Sequence, residues 1–563
     1  MRAIKLLFIL VVLVSAAASA QVDRLPAAAI ASAHPLATKA GMKILDSGGN
    51  AFDAAVAVTA VLAVVEPMGS GLGGGGFWLL HRSIDGFETM IDGRERAPLA
   101  AFRDMYLNEE GNPIPRASLD GPLAAAIPGI PAALDHITSK YGRLTLKQNL
   151  APAIDLARKG FPVYERYRRL ATFRLESIMA SPAAADVFLD NSFVPDIGHE
   201  LIQKDLARTL QRIARKGSKG FYQGPLARKL VTGVRAAGGI WTKQDLKQYR
   251  IVERKPVTGS FRGVKYTSAA LPSSGGIVLK QILNILHDFP LARVSSTERK
   301  HLIIESMRRA YRDRAVYLGD SDFVNVEFDK LTSRKYASYL RSSISHMTTP
   351  VTKWGKSKYR SKGRDTTHFS VIDREGNRVA ATLSVNYPFG SAFMPPGTGV
   401  VLNNEMDDFS IKPGVPNAYG LVGNKANAIA PGKRPLSSMS PTFLETKDRI
   451  VVLGTPGGSR IISMVLLVTL EVSDDRGGPE DWVALKRYHH QYVPDVVQYE
   501  AGALSAKEIK NLTRRGHKLK QRRRPYGNMQ IVVWDKKNRE VIAASDPRGE
   551  GLALPESVET QTK

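Results

Sequence analysis

Thr367-His368-Phe369-Ser370-Val371-Ile372, then Asp373 to Asn377, then Val379-Ala380-Ala381-Thr382-Leu383 is the stretch on which the fold turns. Two β-favouring runs joined by a short polar turn predict a hairpin. Just ahead of it, Lys353 to Arg364 carries six basic residues in twelve, with two glycines and two serines. That composition resists packing and reads as a mobile surface segment. The junction between them is Asp365-Thr366. A threonine hydroxyl is a poor nucleophile at neutral pH and needs a nearby base. If the bond before Thr366 were cut, the freed α-amino group, with a pKa of about 8, can be that base. A threonine that merely opens a strand is the plainer reading, and on this stretch alone it is the one to prefer.

Upstream, a helical pattern from Leu36 to Leu45 ends at Gly48-Gly49, and a nearly all-apolar helix is expected from Ala51 to Val65, stopping at Pro67. A helix without a polar face is buried. The glycine run Gly69 to Gly76, broken by Ser70 and Leu72, leads into a core strand at Phe77-Trp78-Leu79-Leu80. Gly71 to Gly76 formally fits G-x-G-x-x-G, with Asp92 downstream. A dinucleotide site needs strand, glycines, then helix, whereas the order here is helix, glycines, strand. Leu123 to Ile344 reads as mostly helical. Ile450 to Leu453 reads as a strand, Thr455 to Ser459 as a tight turn, Ile461 to Leu470 as a helix or strand, and Glu550 to Lys563 as a loose tail. His489 and His490 are neighbours on an extended segment, so they face opposite ways and cannot share a metal.

The chain has 563 residues, enough for a large core, and length alone allows two to four domains. Arg2 and Lys5, the apolar run Leu6 to Val14 and Ala18-Ser19-Ala20 have the layout of a cleavable export signal, with a mature start at about Gln21. The run is too short to span a bilayer, so no stable membrane anchor is expected, and the location implied is periplasmic or secreted. Cysteine is absent, which removes disulfides and thiol nucleophiles. The net charge of +26 favours anionic neighbours. No zinc-finger spacing, RNP-like strand or basic zipper accompanies it, so no nucleic-acid partner is expected.

Several ordered blocks carry a resemblance: Gly48-Gly49-Asn50-Ala51 with Asp53 to Val56, Glu66-Pro67 before the glycines, Asp92-Gly93-Arg94-Glu95 with Ala97-Pro98, and Thr366-Thr367-His368. Downstream stand Leu402 to Ser410, Lys433 to Pro441, Pro456 to Arg460 and Ser545-Asp546-Pro547-Arg548. Together, from about His34 to Arg548, they closely resemble the γ-glutamyltranspeptidases. The resemblance implies an α+β, four-layer αββα sandwich of the N-terminal nucleophile hydrolase type. It also implies a precursor that cuts itself before Thr366 into a large subunit (21–365) and a small one (366–563), paired as a heterodimer. No cofactor and no metal are implied.

Carried over residue by residue, Thr366 is the nucleophile, Ser384 its hydroxyl partner, where the family commonly has threonine, and the Gly457 and Gly458 N–H groups the oxyanion donors. A γ-glutamyl head is a zwitterion and needs groups of both signs. Arg94, Ser437 and Ser438 are assigned to its α-carboxylate, and Asn386, Glu405 and Asp408 to its α-ammonium. Pro413 to Pro435, with Tyr419, resembles a lid. Tyr387 and Pro388 depart from the small polar residues often found beside the asparagine. The expected donors are glutathione and other γ-glutamyl compounds; the acceptors are water, amino acids or dipeptides. A glutaryl or cephalosporin acylase of the same fold is the nearest alternative, and a catalytically inactive, basic envelope-binding protein a more distant one.

Overall fold

The computed structural model describes residues 24–351 and 366–556. The leader expected at 1–20, the basic segment Lys353 to Arg364 and the end of the C-terminal tail lie outside them.

The hairpin forms as read, with strands Thr367–Ile372 and Arg378–Ser384 antiparallel, Thr382 opposite His368. Both strands are buried along their whole length, which requires cover on both faces. Side-chain alternation supplies it. Phe369, Val371, Val379, Ala381 and Leu383 join a core shared with the helices Ala51–Val65 and Ile130–Tyr141, while Ile372 and Ala380 join a second core shared with Phe443, Val452 and Val532. The hairpin is the centre of a seven-stranded sheet running Leu552–Pro555, Ala29–Ser32, Thr367–Ile372, Arg378–Ser384, Gly75–Arg82, Phe87–Asp92 and Val252–Arg254.

A six-stranded sheet lies beneath it, in the order Glu540–Ser545, Gln530–Asp535, Arg449–Gly454, Thr442–Glu445, Val264–Ser268 and Val257–Phe261. Its far face (Leu444, Val451, Leu453, Ile531, Val533) packs on the helices Gly275–Leu286, Ser296–Tyr317 and Ile461–Ser473. The layers are therefore helix, sheet, sheet, helix, held by sheet faces about 10 Å apart.

The helix Ala51–Val65 is buried at all fifteen residues. Its start is fixed by a capping box between Asn50 and Asp53. The second Asp53 role follows from burial: the carboxylate also accepts from Arg143 N at 2.8 Å and Asn149 Nδ2 at 2.8 Å.

Two expectations are refined and one is corrected. The middle third is mostly helical but also contributes Val252–Arg254, Val257–Phe261 and Val264–Ser268, short strands whose two-residue period is lost among polar residues. Ile461–Ser473 is a helix. The C-terminal stretch is no loose tail up to Glu556, because Leu552–Pro555 pairs antiparallel with Ala29–Ser32 and closes the edge of the first sheet.

Candidate active site

Thr366 immediately precedes the first strand of the hairpin and is buried. Its Oγ1 lies 3.5 Å from Ser384 Oγ, at the last residue of the partner strand. Ser384 Oγ accepts the backbone N–H of Asn386 at 2.7 Å, which fixes the hydroxyl in place. The turn that follows is tight enough to hold Asn386 at φ 75°, a left-handed conformation that asparagine tolerates better than most residues. Gly74 explains the glycine run: a Cβ there would overlap the Ser384 carbonyl. The run brings backbone against Ser384, the residue beside Thr366, and its sequel Gly75–Arg82 is a strand, so it is no dinucleotide loop.

One cavity, about 320 Å³ including its open mouth, is lined by Thr366, Ser384, Asn386, Arg94, Glu405, Asp408, Tyr419, Ser437, Ser438 and Gly458. Every residue assigned above is in that wall except Gly457, the neighbour of Gly458. Arg94 arrives from the loop after Phe87–Asp92, the acidic pair from the short helical turn Glu405–Asp408, and the serines from the loop before Thr442–Glu445.

The charged groups are joined to one another more tightly than the sequence reading assumed. Arg94 Nη1 is 2.6 Å from Glu405 Oε2, and Nη2 donates to Asp408 Oδ2 at 2.6 Å, with Glu95 Oε2 3.5 Å from Nη1. Arg94 and Glu405 are each 1% exposed at the side chain, so water hardly screens their pair, whereas Asp408 is 14% exposed. Burial pushes the Glu405 carboxyl well above its ordinary range, Arg94 pulls it back, and Glu95 and Asp408 push it up again. Glu95 is pushed up to about 7, chiefly by burial. Glu405 Oε1 accepts no hydrogen bond although it is buried. Asp408 is steadied by Asn417 Nδ2 at 3.0 Å.

The Asn386 amide nitrogen is committed to the Asn404 carbonyl at 2.9 Å, so only its Oδ1 is left to serve a cation. Tyr419 lies over Gly458, donating its hydroxyl to the Asn386 carbonyl. Tyr387 and Pro388 are absent from the cavity wall. Tyr387 instead meets Phe173 and the Arg174 guanidinium, and Arg174 also donates to the Pro388 carbonyl at 3.0 Å.

Gly457 (φ 146°) and Gly458 (φ 58°) turn the chain from the strand Arg449–Gly454 into the helix Ile461–Ser473. Their N–H groups sit at the positive end of that helix, where developing negative charge is favoured. His368, one strand position beyond Thr367, is buried and pushed down to about 3 by desolvation. Its Nδ1 pairs with Thr382 Oγ1 at 2.8 Å, so it is a neutral support and not a base. His489 and His490 go to different partners, Ser463 Oγ at 2.9 Å and Asp495 Oδ1 at 3.1 Å, as their opposed directions require.

Sequence reasoning missed Asn403, whose Nδ2 holds the Gly73 carbonyl at 2.7 Å and whose Oδ1 takes Glu405 N at 3.0 Å, tying the glycine run to the acidic turn. It also missed Arg314, buried in the cavity wall. Asn403 stands inside a block already noticed. Arg314 gives no such signal, because it belongs to a helix in which Arg308, Arg309 and Arg312 read equally well as a solvated face.

A threonine heading a central strand, in a sandwich of two sheets between helices, with a glycine turn at a helix start in the same site, defines an N-terminal nucleophile hydrolase. The sequence model of the gamma-glutamyltranspeptidase family matches residues 37–555, and the chain belongs to that family. It is 44% identical over 498 residues to a glutathione hydrolase proenzyme of Pseudomonas sp. (strain A14), covering 87% of this chain and 86% of that one. It is 40% identical over 525 residues to the glutathione hydrolase proenzyme of Escherichia coli (strain K12), covering 92% and 90%. Among solved structures, a cephalosporin acylase from Bacillus halodurans superposes with a TM-score of 0.83 at 27% identity, over 94% of this chain and 96% of that one. A Helicobacter pylori gamma-glutamyltranspeptidase chain superposes with a TM-score of 0.55 at 42% identity, over 57% of this chain and 92% of that one.

Proposed function

We propose that this protein is a γ-glutamyltransferase and glutathione hydrolase that matures by cutting itself before Thr366. The observation that carries the reading is the cavity in which Thr366 meets both signs of charge, Arg94 together with the Glu405 and Asp408 carboxylates that it pairs with. That is the complement of a zwitterionic amino-acid head joined through its side chain to the reacting carbonyl.

In maturation, Thr366 Oγ1 attacks the carbonyl of residue 365, the peptide C–N bond breaks, and the acyl group passes from nitrogen to oxygen as an ester. Water then opens the ester, leaving a carboxylate on the large subunit and a free amine on Thr366. In turnover, that amine takes the Oγ1 proton as Oγ1 attacks the γ-carbonyl of the donor. Ser384, 3.5 Å away, keeps the hydroxyl aligned. Gly457 and Gly458 N–H groups stabilise the tetrahedral oxyanion; one such donor is worth about 3 kcal/mol. The leaving amine departs with the proton, and the γ-glutamyl ester passes to water, an amino acid or a dipeptide. The relatives' designation as proenzymes supports a processed heterodimer, and the leader-like first twenty residues support export to the periplasm or beyond.

An acylase reading draws on the fold likeness to the cephalosporin acylase. Against it stand Glu405 and Asp408, two carboxylates that a donor without an α-ammonium leaves unused. Intact-mass analysis of the purified protein, followed by assay with γ-glutamyl and glutaryl anilides with and without glycylglycine, tests cleavage, donor and acceptor together. We expect two chains, strong preference for the γ-glutamyl donor and stimulation by the acceptor. An active uncut chain, or equal rates on both donors, would sink the proposal.

A further inference from the structure

Arg314, near the end of the helix Ser296–Tyr317, is a buried cation in the wall of the catalytic cavity. Its Nε donates to Ser274 Oγ at 2.9 Å and its Nη2 to Ser438 Oγ at 3.1 Å. Both acceptors are neutral hydroxyls. Among the described residues, no carboxylate comes within ion-pair distance of it, whereas Arg94 has three around it. Burial pushes the Arg314 guanidinium down to about 10, with Tyr311 and then Asp408 favouring its charge and Arg94 opposing it. It stays charged at neutral pH, and a buried charge without a counter-ion is expensive. Such a group in a ligand cavity is accounted for when the ligand brings the missing charge.

The direction of the hydrogen bonds says how. Ser438 Oγ accepts from Arg314, so its own O–H must point elsewhere, and no protein acceptor among the described residues takes it. A hydroxyl that accepts from a cation is also a stronger donor. Through Ser274, Arg314 reaches the neighbouring serine as well: Ser274 Oγ donates to the Ser437 carbonyl at 2.7 Å. One guanidinium thus sets the position of both serines.

We propose that Arg314 is a positioning residue for the α-carboxylate of the donor, acting through the Ser438 hydroxyl that it orients and supplying the counter-charge that Arg94, occupied by Glu95, Glu405 and Asp408, does not fully provide. This rests on the γ-glutamyl reading above.

The test compares two chromogenic anilides that differ only at the α-carboxylate, γ-glutamyl and 4-aminobutyryl, using the mature two-chain protein. Arg314→Met is expected to raise KM for the γ-glutamyl donor and to cut the γ-glutamyl to 4-aminobutyryl ratio of kcat/KM roughly 10- to 100-fold, the range for a charge-assisted hydrogen bond. Turnover of 4-aminobutyryl anilide should hardly change. Arg314→Lys keeps the charge on a group whose pKa burial lowers readily. Its ratio, divided by the wild-type ratio at the same pH so that titration of neighbours such as Glu95 cancels, should be near one at low pH and fall as pH rises. Equal losses on both donors in Arg314→Met would overturn the assignment. So would a pH-independent, wild-type ratio in Arg314→Lys, which decides the matter if the methionine variant does not fold. Wild-type protein that turns over neither anilide refutes the γ-glutamyl reading itself, whereas wild-type discrimination that survives in Arg314→Met refutes only the role of Arg314.

Discussion

Replacing Gly458 by alanine tests whether the oxyanion turn works by fixed geometry. Gly458 has φ 58°, and a Cβ built on it would overlap Cδ1 and Cε1 of Tyr419 and lie 3.0 Å from Cγ. The left-handed conformation costs alanine about 1 kcal/mol. The ring cannot simply swing aside, because its hydroxyl is bound to the Asn386 carbonyl and its backbone N–H to Asn417 Oδ1 at 3.0 Å. Losing the hydroxyl bond costs about 1 kcal/mol more, so stability should fall by about 2 kcal/mol. If the turn yields instead of the ring, the Gly458 N–H leaves its aim. Turnover then loses about 3 kcal/mol of transition-state stabilisation, roughly 100-fold in kcat. The assay is kcat on γ-glutamyl anilide per mature Thr366 terminus, counted by intact mass. Removing the ring as well isolates the clash: Gly458→Ala should cost much less in a Tyr419→Ala background than alone. A Gly458→Ala enzyme with the wild-type kcat, or strict additivity of the two substitutions, refutes the reasoning.

Asp408→Asn keeps the side-chain size and removes one charge meant for the α-ammonium. KM for γ-glutamyl anilide should rise roughly 10- to 100-fold, while turnover of the glutaryl analogue, which has no ammonium and would leave that carboxylate unpaired, should hold or improve; parallel losses in steady-state assays would count against the assignment. Glu95 titrates near 7 in the folded protein because of burial, against an ordinary value of 4.5. Between those values the folded protein holds a proton that the unfolded chain has released, so this group's contribution to stability falls as pH rises from about 4.5 to about 7 and is level above. Glu95→Gln should remove that loss, and Tm measured at stepped pH should show the variant gaining on the wild type across that window; a constant difference would contradict it.

What the sequence made legible follows from how local the signal is. The hairpin, the all-apolar helix Ala51–Val65 and the turn at Gly457-Gly458 each declare themselves within a few residues, by β-branched runs, an absent polar face and paired glycines. Leu552–Pro555 did not, because a four-residue edge strand is made by its partner, here Ala29–Ser32 at the opposite end of the chain. The same distinction divides the site. Thr366, Arg94 and the Glu405–Asp408 turn lie in recognisable blocks, and the cavity brings them together. That Arg94 is paired with the very carboxylates assigned to the ammonium is a tertiary fact, since positions 94, 405 and 408 say nothing of distance. Arg314 is hidden for the same reason.

Under the proposed roles, that pairing would also set the site's selectivity. A zwitterionic donor entering the cavity exchanges contacts: its carboxylate takes Arg94, and its ammonium takes the oxygens that Arg94 gives up. The two pairs that Arg94 gives up are replaced by pairs to the donor, and Glu405 Oε1, which accepts no hydrogen bond within the protein, gains a donor. A glutaryl donor makes only half of that exchange. It draws Arg94 from Glu405 and Asp408 and returns no cation, so two buried carboxylates are left facing each other or must take up protons. Breaking a buried pair in this way costs about 3 to 5 kcal/mol. The expected preference for the γ-glutamyl group therefore does not need a contact that glutaryl lacks the size to make. It comes from what glutaryl would leave unpaired, in residues that are closed on one another until the right charge pair separates them.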